Sequence, residues 1–533
     1  MAPGKSRLCS ILLLRRSLQA LILITVALSL AGCARNLWHR PVPVEPSFAY
    51  ANPESTTLGH IFVDDLQAHP GKSGFALIYR SDRAFQIRNS LVFAAEKTLD
   101  LQYFIWEADA TGRILTHSLL QAADRGVRVR ILIDDLHTGG KELGIATLDR
   151  HPNIEVRLFN PFAARNGRTS QLIKAFARLN HRMHNKTFIA DNAIAIVGGR
   201  NIGDVYFGVD AAANFRDLDL AAAGPVVSEI SASFDLFWNS EWAVPSGSLL
   251  GSLHADEQIL ETREKLTTWV KELKNFPYRT VPSGDDLPER VKELRSRFVW
   301  GEGTVLFDLP EKVAGGDQER LRQSLVQEAT GIREEMLVEA AYLIPSREDL
   351  RLVDRLRARG VKIRVLTNSL ATNDVAAAHA GYAKYRRKLL QKGVELYELR
   401  PDAGADRGNW SALAGNSQAS LHTKGLVVDR QALFIGSFNF DPRSNNINTE
   451  IGLYVNSPEL AAQVAEYMDE GVKLENCYRL MVEKDEEESF DRLVWVTLDA
   501  AGKEVRHYSE PGASWWKRFV SGVVSLLPIE GQL

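Results

Sequence analysis

The chain has 533 residues, of which 45% are hydrophobic and 25% are charged, and its formal net charge is −3 at pH 7. This composition is typical of a soluble globular body that is long enough for two hydrophobic cores. Residues 1–32 hold four basic and no acidic residues, so their removal changes the net charge from −3 to −7. That charge argues against a broad electropositive surface for nucleic acid.

The N-terminus has the three parts of an export signal. Four basic residues come before an apolar run at residues 18–30, namely Lys5, Arg7, Arg15 and Arg16. The run ends in LAGC, which resembles a bacterial lipoprotein signal that is cleaved before Cys33 and lipidated on its thiol. An uncleaved anchor is the alternative, but an apolar run of 13 residues is short for a membrane span of ~20 residues. We therefore predict a signal peptide over residues 1–32.

The predicted processing also indicates a location. Ala34 after the cysteine resembles outer-membrane sorting, so we expect a membrane-anchored lipoprotein that faces the periplasm, in the outer rather than the inner membrane. Of the three cysteines, Cys9 would be removed and Cys33 lipidated. Cys477 would then have no intramolecular partner, so no disulfide is expected. Residues 33–70, with PVPVEP and ANPEST, are predicted to form a membrane-proximal tether.

The first globular segment, residues 71–250, alternates strand and helix patterns. Apolar strands are predicted in KTLDLQYFIW (97–106), RGVRVRILIDD (125–135) and NIEVRLFNP (153–161). An amphipathic helix is predicted between the first two, in SLLQAADRG. Strands that alternate with helices favour an α/β domain with a mixed β-sheet flanked by helices.

A polar-ended hairpin, HNKTFIADNAIAIVGGRN, follows the third predicted strand at residues 184–201. Two apolar runs flank Asp191-Asn192, a dipeptide typical of a tight turn. Side chains alternate along a strand, so His184 and Lys186 share one face, and the hairpin returns Asn201 to their side. Asp191 should lie ~20 Å from His184 at the far end of the strand. It is therefore predicted to be structural.

The second half of the chain repeats the first after a helical linker predicted at residues 251–300. Within residues 301–475, strand patterns recur in EMLVEAAYLIP, RGVKIRVLTNS and GVELYELRP. HTKGLVVDRQALFIGSFN, at residues 422–439, then repeats the polar positions of the hairpin at the same spacings: His422, Lys424, Asp429 and Asn439. The repeat is too long for a solenoid and suits two tandem domains. Such domains can pack about a pseudo-twofold axis and bring both polar sets into one cleft.

The C-terminal extension, residues 476–533, contains SWWKRFVSGVVSLLP at residues 514–528. Two tryptophans, a basic pair and an apolar face suit an interfacial helix. Packing of this helix against the enzyme body is the alternative.

The doubled pattern HxKxxxxDxxxxxxG[GS]xN resembles that of the phospholipase D superfamily, over about residues 75–475. The similarity is closer to bacterial cardiolipin synthases of the C type, in RMHNK, VGGRNIGDVYFG, LTNSLATNDVAAAHAGYAKYRRKLL, GVELYEL and GSFNFDPRS. The resemblance implies phosphodiester chemistry through a covalent phosphohistidine, with no metal or other cofactor. The family's usual order makes His184 the nucleophile and His422 the general acid and then base, although the symmetry of the sequence cannot decide between them.

The residue types agree with this chemistry. Lys186 and Lys424 offer positive charge to the phosphoryl oxygens, and Asn201 and Asn439 offer N–H donors. Each histidine should also have a carboxylate that fixes its tautomer. Glu450 is one candidate. Alignment of the two halves at Pro225 and Pro458 places Asp217 opposite Glu450, although Asp219 lies on the same face. Arg200 could contact a phosphate or form a surface salt bridge.

The sequence therefore predicts a monomer that binds the membrane and acts on phospholipids, not nucleic acid. We expect it to transfer a phosphatidyl group to phosphatidylglycerol and so make cardiolipin, with phosphatidylglycerol or another phospholipid as donor. Hydrolysis of phospholipid headgroups, with water as acceptor, is the main alternative. A nuclease of the same superfamily and a non-catalytic lipid-binding scaffold are less consistent with the charge and with the two complete polar sets.

Overall fold

The computed structural model describes residues 43–251, 253–280, 286–315, 320–404, 414–415, 417–484, 491–525 and 532. The predicted signal peptide and Cys33 lie outside the described residues. Among the described helices, none is both long and apolar enough to cross a bilayer.

The first half of the chain contains strands and helices in alternation. Its strands are β1 (Ser73–Ile78), β2 (Thr98–Tyr103), β3 (Arg128–Asp134), β4 (Ile154–Phe159), β5 (Thr187–Ala190), β6 (Ile194–Gly198), β7 (Ala213–Arg216), β8 (Asp219–Ala223) and β9 (Ala243–Pro245). Its helices are α1 (Thr57–His60), α2 (Val63–Ala68), α3 (Ser81–Ala94), α4 (Ala110–Asp124), α5 (Glu142–Asp149), α6 (Arg168–Lys174), α7 (Phe176–Leu179), α8 (Pro225–Trp238) and α9 (Ser246–Leu250).

Two further helices, α10 (Asp256–Glu272) and α11 (Asp286–Arg295), lead into the second half. Its strands are β10 (Val299–Phe307), β11 (Glu335–Ala340), β12 (Lys362–Asn368), β13 (Glu395–Leu399), β14 (Gln418–Leu421), β15 (Lys424–Val428), β16 (Ala432–Gly436) and β17 (Ile451–Asn456). Its helices are α12 (Arg320–Thr330), α13 (Arg347–Ala358), α14 (Ala376–Ala383), α15 (Arg386–Gln391), α16 (Pro442–Asn446) and α17 (Pro458–Gly471).

The two halves have the same sheet topology. In the first, β4, β3 and β2 are parallel, and β5, β6, β8 and β1 continue the sheet with antiparallel pairings. In the second, β13, β12, β11, β15, β16, β17 and β10 follow in the same order with the same directions. β1 pairs antiparallel with β10, so the halves are related by a pseudo-twofold axis at this junction. The predicted pair of α/β domains with mixed sheets is confirmed.

The hydrophobic core also joins the halves. One cluster of buried side chains packs within the first half and another within the second. A third cluster combines residues of both halves, including Phe234 and Trp238 of α8 with Leu460 and Val464 of α17. Burial of apolar surface stabilises the folded state by ~25 cal/mol for each Å² removed from water. The contact between the two halves therefore has the composition of a protein interior.

The two hairpin turns share an unusual backbone conformation. Asp191, Asn192, Asp429 and Arg430 all have positive φ, from 50° to 52°, as a type I′ turn requires. Each turn aspartate accepts three backbone N–H groups from the segment before the neighbouring strand. For Asp191 these are the N–H groups of residues 96–98, at 2.7–2.9 Å. Asp429 makes the same contacts in the second half, so both carboxylates hold the far ends of their hairpins.

The C-terminal extension enlarges the second sheet. β18 (Cys477–Lys484) pairs antiparallel with β13, and β19 (Asp491–Leu498) and β20 (Glu504–His507) follow. The last described helix is α18 (Trp515–Ser525). The sequence pattern predicted a helix at the position of α18 but did not predict these three strands. They lie outside the repeated unit, so the comparison of the two halves could not indicate them.

Candidate active site

The first candidate dyad forms where a segment of each half runs side by side. Met183 forms a parallel bridge with Thr449, and the backbone N–H of His184 donates to the carbonyl of Thr449 at 2.9 Å. Residues that follow a parallel bridge run in the same direction and remain neighbours. His184 and Glu450 therefore meet, with 2.8 Å between Nδ1 and Oε2.

The second dyad repeats this arrangement with the halves exchanged. β7 and β14 form a separate parallel ladder in which Arg216 lies opposite Leu421. The next residues along the two chains, Asp217 and His422, are joined by a contact of 2.6 Å between Oδ2 and Nδ1. Each imidazole is thus held by the carboxylate of the other half. The sequence predicted a carboxylate for each histidine but not this exchange.

Asp219, the alternative to Asp217, has a different environment. It is fully buried and forms salt bridges with Arg88 at 2.9 Å and Arg200 at 3.1 Å. Arg200 also donates to the carbonyls of Ile78 and Tyr79. Both suggestions for Arg200, a phosphate contact and a surface salt bridge, are therefore wrong. Its guanidinium is fully engaged by Asp219 and these carbonyls inside the first domain. This pairing compensates the charge of Asp219, which would be costly to bury alone.

Both predicted lysines are buried beside the dyads. Lys186 Nζ donates to the carbonyl of His184, and Lys424 Nζ donates to that of His422. Burial lowers the pKa of both ammonium groups, that of Lys186 to about 7. The positive charge of Lys424 also lowers the pKa of Lys186, which places the two ammonium groups in the same small region.

The two predicted asparagines are not equivalent. Asn201 is locked by two contacts: its Oδ1 accepts the backbone N–H of Ile105 at 3.1 Å, and its Nδ2 donates to the Tyr206 hydroxyl at 2.8 Å. Asn439 is also buried, but its Oδ1 has no hydrogen-bond partner within the described part of the chain. The site is therefore more firmly organised on the Asn201 side.

Burial controls the protonation of the histidines. It lowers the pKa of His184 to about 4, although Glu450 acts in the opposite direction. It lowers the pKa of His422 well below 6.5, and positive charge at Lys424, Lys186 and His184 adds to this effect. Both imidazoles are therefore neutral near pH 7. A neutral imidazole that donates from Nδ1 to a carboxylate leaves its Nε2 lone pair free.

Aromatic rings that were not predicted from the sequence surround the dyads. Phe104 lies edge-on to His184, with ring centroids 5.1 Å apart, and Tyr206 lies edge-on to His422 at the same distance. Phe215 lies 4.9 Å from the ring of His422 and 4.9 Å from that of Tyr206, so the three rings form one cluster. Burial raises the pKa of Tyr206, so its hydroxyl stays neutral. These residues lie outside the hairpin motif; the NIGDVYFG segment after Asn201 was the available signal for Tyr206.

Comparison with known proteins agrees with this geometry. The model of a family described as "Cardiolipin synthase, PLD-like domain" matches residues 90–238 and 325–471. Cardiolipin synthase C of Escherichia coli K12 is 39% identical over 469 residues, which cover 87% of this chain and 96% of that protein. The chain belongs to the cardiolipin synthase family of proteins with phospholipase D-like domains.

Other members and a solved structure are more distant. The major cardiolipin synthase of Bacillus subtilis is 23% identical over 78% of this chain and 70% of its own. An uncharacterized Helicobacter pylori J99 protein is 29% identical over 93% and 96% of the two chains. The crystal structure of phosphatidylserine synthase from Haemophilus influenzae has a TM-score of 0.52 at 14% identity, covering 78% of this chain and 90% of that one. This last match supports the fold alone.

Family membership confirms the predicted enzyme class, a phosphatidyltransferase of the cardiolipin synthase type. The residue roles within the cardiolipin synthase site remain predictions. The structure brings together all eight candidate catalytic side chains in or beside the two dyads: His184, Lys186, Asn201, Asp217, His422, Lys424, Asn439 and Glu450. It places Asp191 and Asp429 at the opposite ends of the hairpins.

Proposed function

We propose that the protein makes cardiolipin by transferring a phosphatidyl group from one phospholipid to the glycerol hydroxyl of phosphatidylglycerol. The observation that carries this proposal is the pair of exchanged dyads, His184–Glu450 and His422–Asp217, in one site. Two imidazoles with fixed tautomers supply a nucleophile and an acid–base group to the same phosphorus. Family membership supports the same substrate class.

In the first step, Nε2 of His184 attacks the phosphorus of the donor. A P–N bond forms, the P–O bond to the headgroup alcohol breaks, and His422 gives its Nε2 proton to the departing oxygen. The resting imidazole of His422 is neutral, so it must first take up a proton. The anionic phosphodiester assists this, because a nearby negative charge raises the pKa of an imidazole.

In the second step, His422 acts as the base. It takes the proton of the glycerol hydroxyl of phosphatidylglycerol, whose oxygen then attacks the phosphorus. The new P–O bond completes the product, and the P–N bond breaks to free His184. Lys186 and Lys424 balance the negative charge on the phosphoryl oxygens in both steps.

The identity of the acceptor is tested by the products. Purified protein with phosphatidylglycerol of defined acyl chains should yield cardiolipin and glycerol in equal amounts, measured by lipid mass spectrometry. Phosphatidic acid as the main product, with oxygen from labelled water, would instead establish the hydrolytic alternative. The two reactions share every step up to the covalent intermediate, so the acceptor alone separates them.

The pKa of Lys186 leads to a pH prediction. Its value of about 7 means that the ammonium loses its proton as the pH rises through neutrality in the free enzyme. A neutral amine cannot balance the phosphoryl charge, so we expect kcat/KM to fall above about pH 7. Lys186→Arg keeps the charge at high pH. The Lys186→Arg variant should have lower activity than the wild type but should not show the decline in kcat/KM at alkaline pH. If the decline is unchanged in this variant, a group other than Lys186 causes it.

Membrane association is part of the proposal, and α18 supports it. Trp515 and Trp516 are 74% and 61% exposed, and Phe519 is half exposed beside them. The polar side of the same helix is attached to the body, since Lys517 Nζ donates to the carbonyl of Ala371 at 2.6 Å. Aromatic side chains exposed on an anchored helix are suited to the headgroup region of a bilayer. Lipidation of Cys33 and a periplasmic, outer-membrane location remain part of the proposal.

The two membrane contacts can be separated by mutation. We expect Cys33→Ser to lose acyl labelling and most membrane fractionation in cells. In that background, serine at Trp515, Trp516 and Phe519 should weaken vesicle binding by at least ~10³-fold, because each buried large apolar side chain contributes ~1.5–3 kcal/mol. The control is a triple serine variant of exposed leucines outside α18, which should have little effect on vesicle binding. Its positions are Leu236, Leu253 and Leu260. Equal losses in both triple variants would contradict a specific role for α18.

A further inference from the structure

An apolar cavity of about 430 Å³ opens on the surface of the first domain. Its floor is β3, and its walls are α4, α5 and α10. The side chains that line it are mainly aliphatic and aromatic: Trp106, Ile133, Ile145, Leu148, Leu266 and Trp269. Its volume lies within the ~300–1,000 Å³ of small-molecule sites in proteins.

The rim of the cavity carries three cationic side chains, and one of them, Lys265, pairs with Glu261 at 2.7 Å. Arg113, Lys141 and Lys265 lie on it, and Glu107 is the acidic residue among the lining side chains. Lys141 pairs with Glu107 at 2.7 Å and also donates to the carbonyl of Trp106. The Arg113 guanidinium lies 5.3 Å from the ring centre of Trp269. The cavity therefore combines an apolar interior with cations at its mouth.

The cavity lies next to the candidate active site. Trp106, a lining residue, directly follows Ile105, whose backbone N–H holds Asn201. Phe104, which contacts the ring of His184, is two residues before Trp106, so the two Cα atoms are at most ~7 Å apart. The short segment from Phe104 to Trp106 therefore runs from the ring contact at His184 to the wall of the cavity.

We propose that this cavity binds one acyl chain of the phosphatidyl donor, an inference that rests on the proposed function. The phosphatidyl group bonded to His184 keeps both acyl chains while the headgroup alcohol leaves and the acceptor arrives. An apolar chamber beside the phosphate removes one chain from water, and burial of apolar surface favours binding. The rim cations lie where the ester and phosphate oxygens of that lipid emerge.

Gly144 provides a test that fills the cavity without disturbing the fold. It lies on α5 and lines the cavity, and an added Cβ would meet no atom within 4 Å. Gly144→Phe places a ring in the chamber, and phenylalanine has a higher helix propensity than glycine. Thr268→Phe is the control, because Thr268 is exposed on α10 and does not line the cavity.

The readout is the ratio of kcat/KM for dioleoyl-phosphatidylglycerol to that for dihexanoyl-phosphatidylglycerol. We expect Gly144→Phe to lower this ratio at least tenfold and Thr268→Phe to leave it unchanged. An unchanged ratio in Gly144→Phe would overturn the acyl-chain assignment. Failure of the wild-type protein to transfer phosphatidyl groups from either lipid would instead overturn the proposed function.

A second measurement uses the unaltered full-length protein. A phosphatidylglycerol with a photoreactive diazirine in one acyl chain should label peptides that contain Trp106, α5 or the 262–269 segment of α10. Labelling that excludes these three segments would show that the chain lies elsewhere, for example along α18 in the bilayer, and would overturn the inference even if Gly144→Phe failed to fold.

Discussion

Replacing His184 or His422 with alanine is expected to abolish measurable phosphatidyl transfer while the protein remains folded. His184→Ala removes the nucleophile, so no covalent intermediate can form. His422→Ala removes the proton donor for the leaving alcohol, which alone contributes ~10²–10⁴-fold. The measurements are kcat with phosphatidylglycerol and the thermal unfolding temperature of each variant.

The double variant adds a control for the shared mechanism. Residues that act as a unit have non-additive effects on kcat, so His184→Ala/His422→Ala should be no worse than His184→Ala. Substantial transfer by either well-folded single variant would contradict a mechanism that needs both halves of the chain. With a donor that carries a good leaving group, His422→Ala should recover part of the first step, because such a group needs little acid assistance.

Glu450→Gln and Asp217→Asn are expected to lower kcat by ~10²–10⁴-fold each, as loss of the tautomer-fixing carboxylate does in other His–carboxylate pairs. The exchanged pairing gives the two variants different signatures. Glu450→Gln acts on His184 and should slow formation of the intermediate. Asp217→Asn acts on His422 and should slow both formation of the intermediate and attack by the acceptor. Rapid-quench measurements of the two steps would separate these effects.

Asp219→Asn is the matched control for Asp217→Asn. Asp219 is the first residue of β8, two positions after Asp217, but it pairs with Arg88 and Arg200. Its replacement should lower the unfolding temperature, because it leaves two buried guanidinium groups undercompensated. The kcat of the folded fraction should change less than tenfold. A larger loss of kcat for Asp219→Asn than for Asp217→Asn would reverse the assignment of the carboxylate.

The hairpins were predictable because their signals are local. Alternation along a strand placed His184 and Lys186 on one face, and Asp191-Asn192 supplied residues that tolerate the positive φ of the turn. The repeat of the pattern at His422 predicted the two domains. These inferences need only the periodicity of a strand and the chemistry of a turn.

The partner of each histidine was not predictable in this way. Whether Glu450 meets His184 or His422 depends on the long-range pairing of Met183 with Thr449 and of β7 with β14. No periodicity in the sequence encodes these contacts between distant segments. The cavity proposed to bind an acyl chain was unpredictable for the same reason, because elements that are distant in sequence form its walls: β3, α4, α5 and α10. Arg200 was misjudged because its sequence neighbourhood gave no indication of Asp219 beside it.

The most direct test of the account is to locate the covalent intermediate. Wild-type protein mixed with phosphatidylglycerol, quenched within one turnover and digested, should give a phosphatidyl adduct that tandem mass spectrometry places on His184. The adduct should disappear when the acceptor is allowed time to react. A phosphatidyl adduct on His422 instead would contradict the assigned order of the two halves.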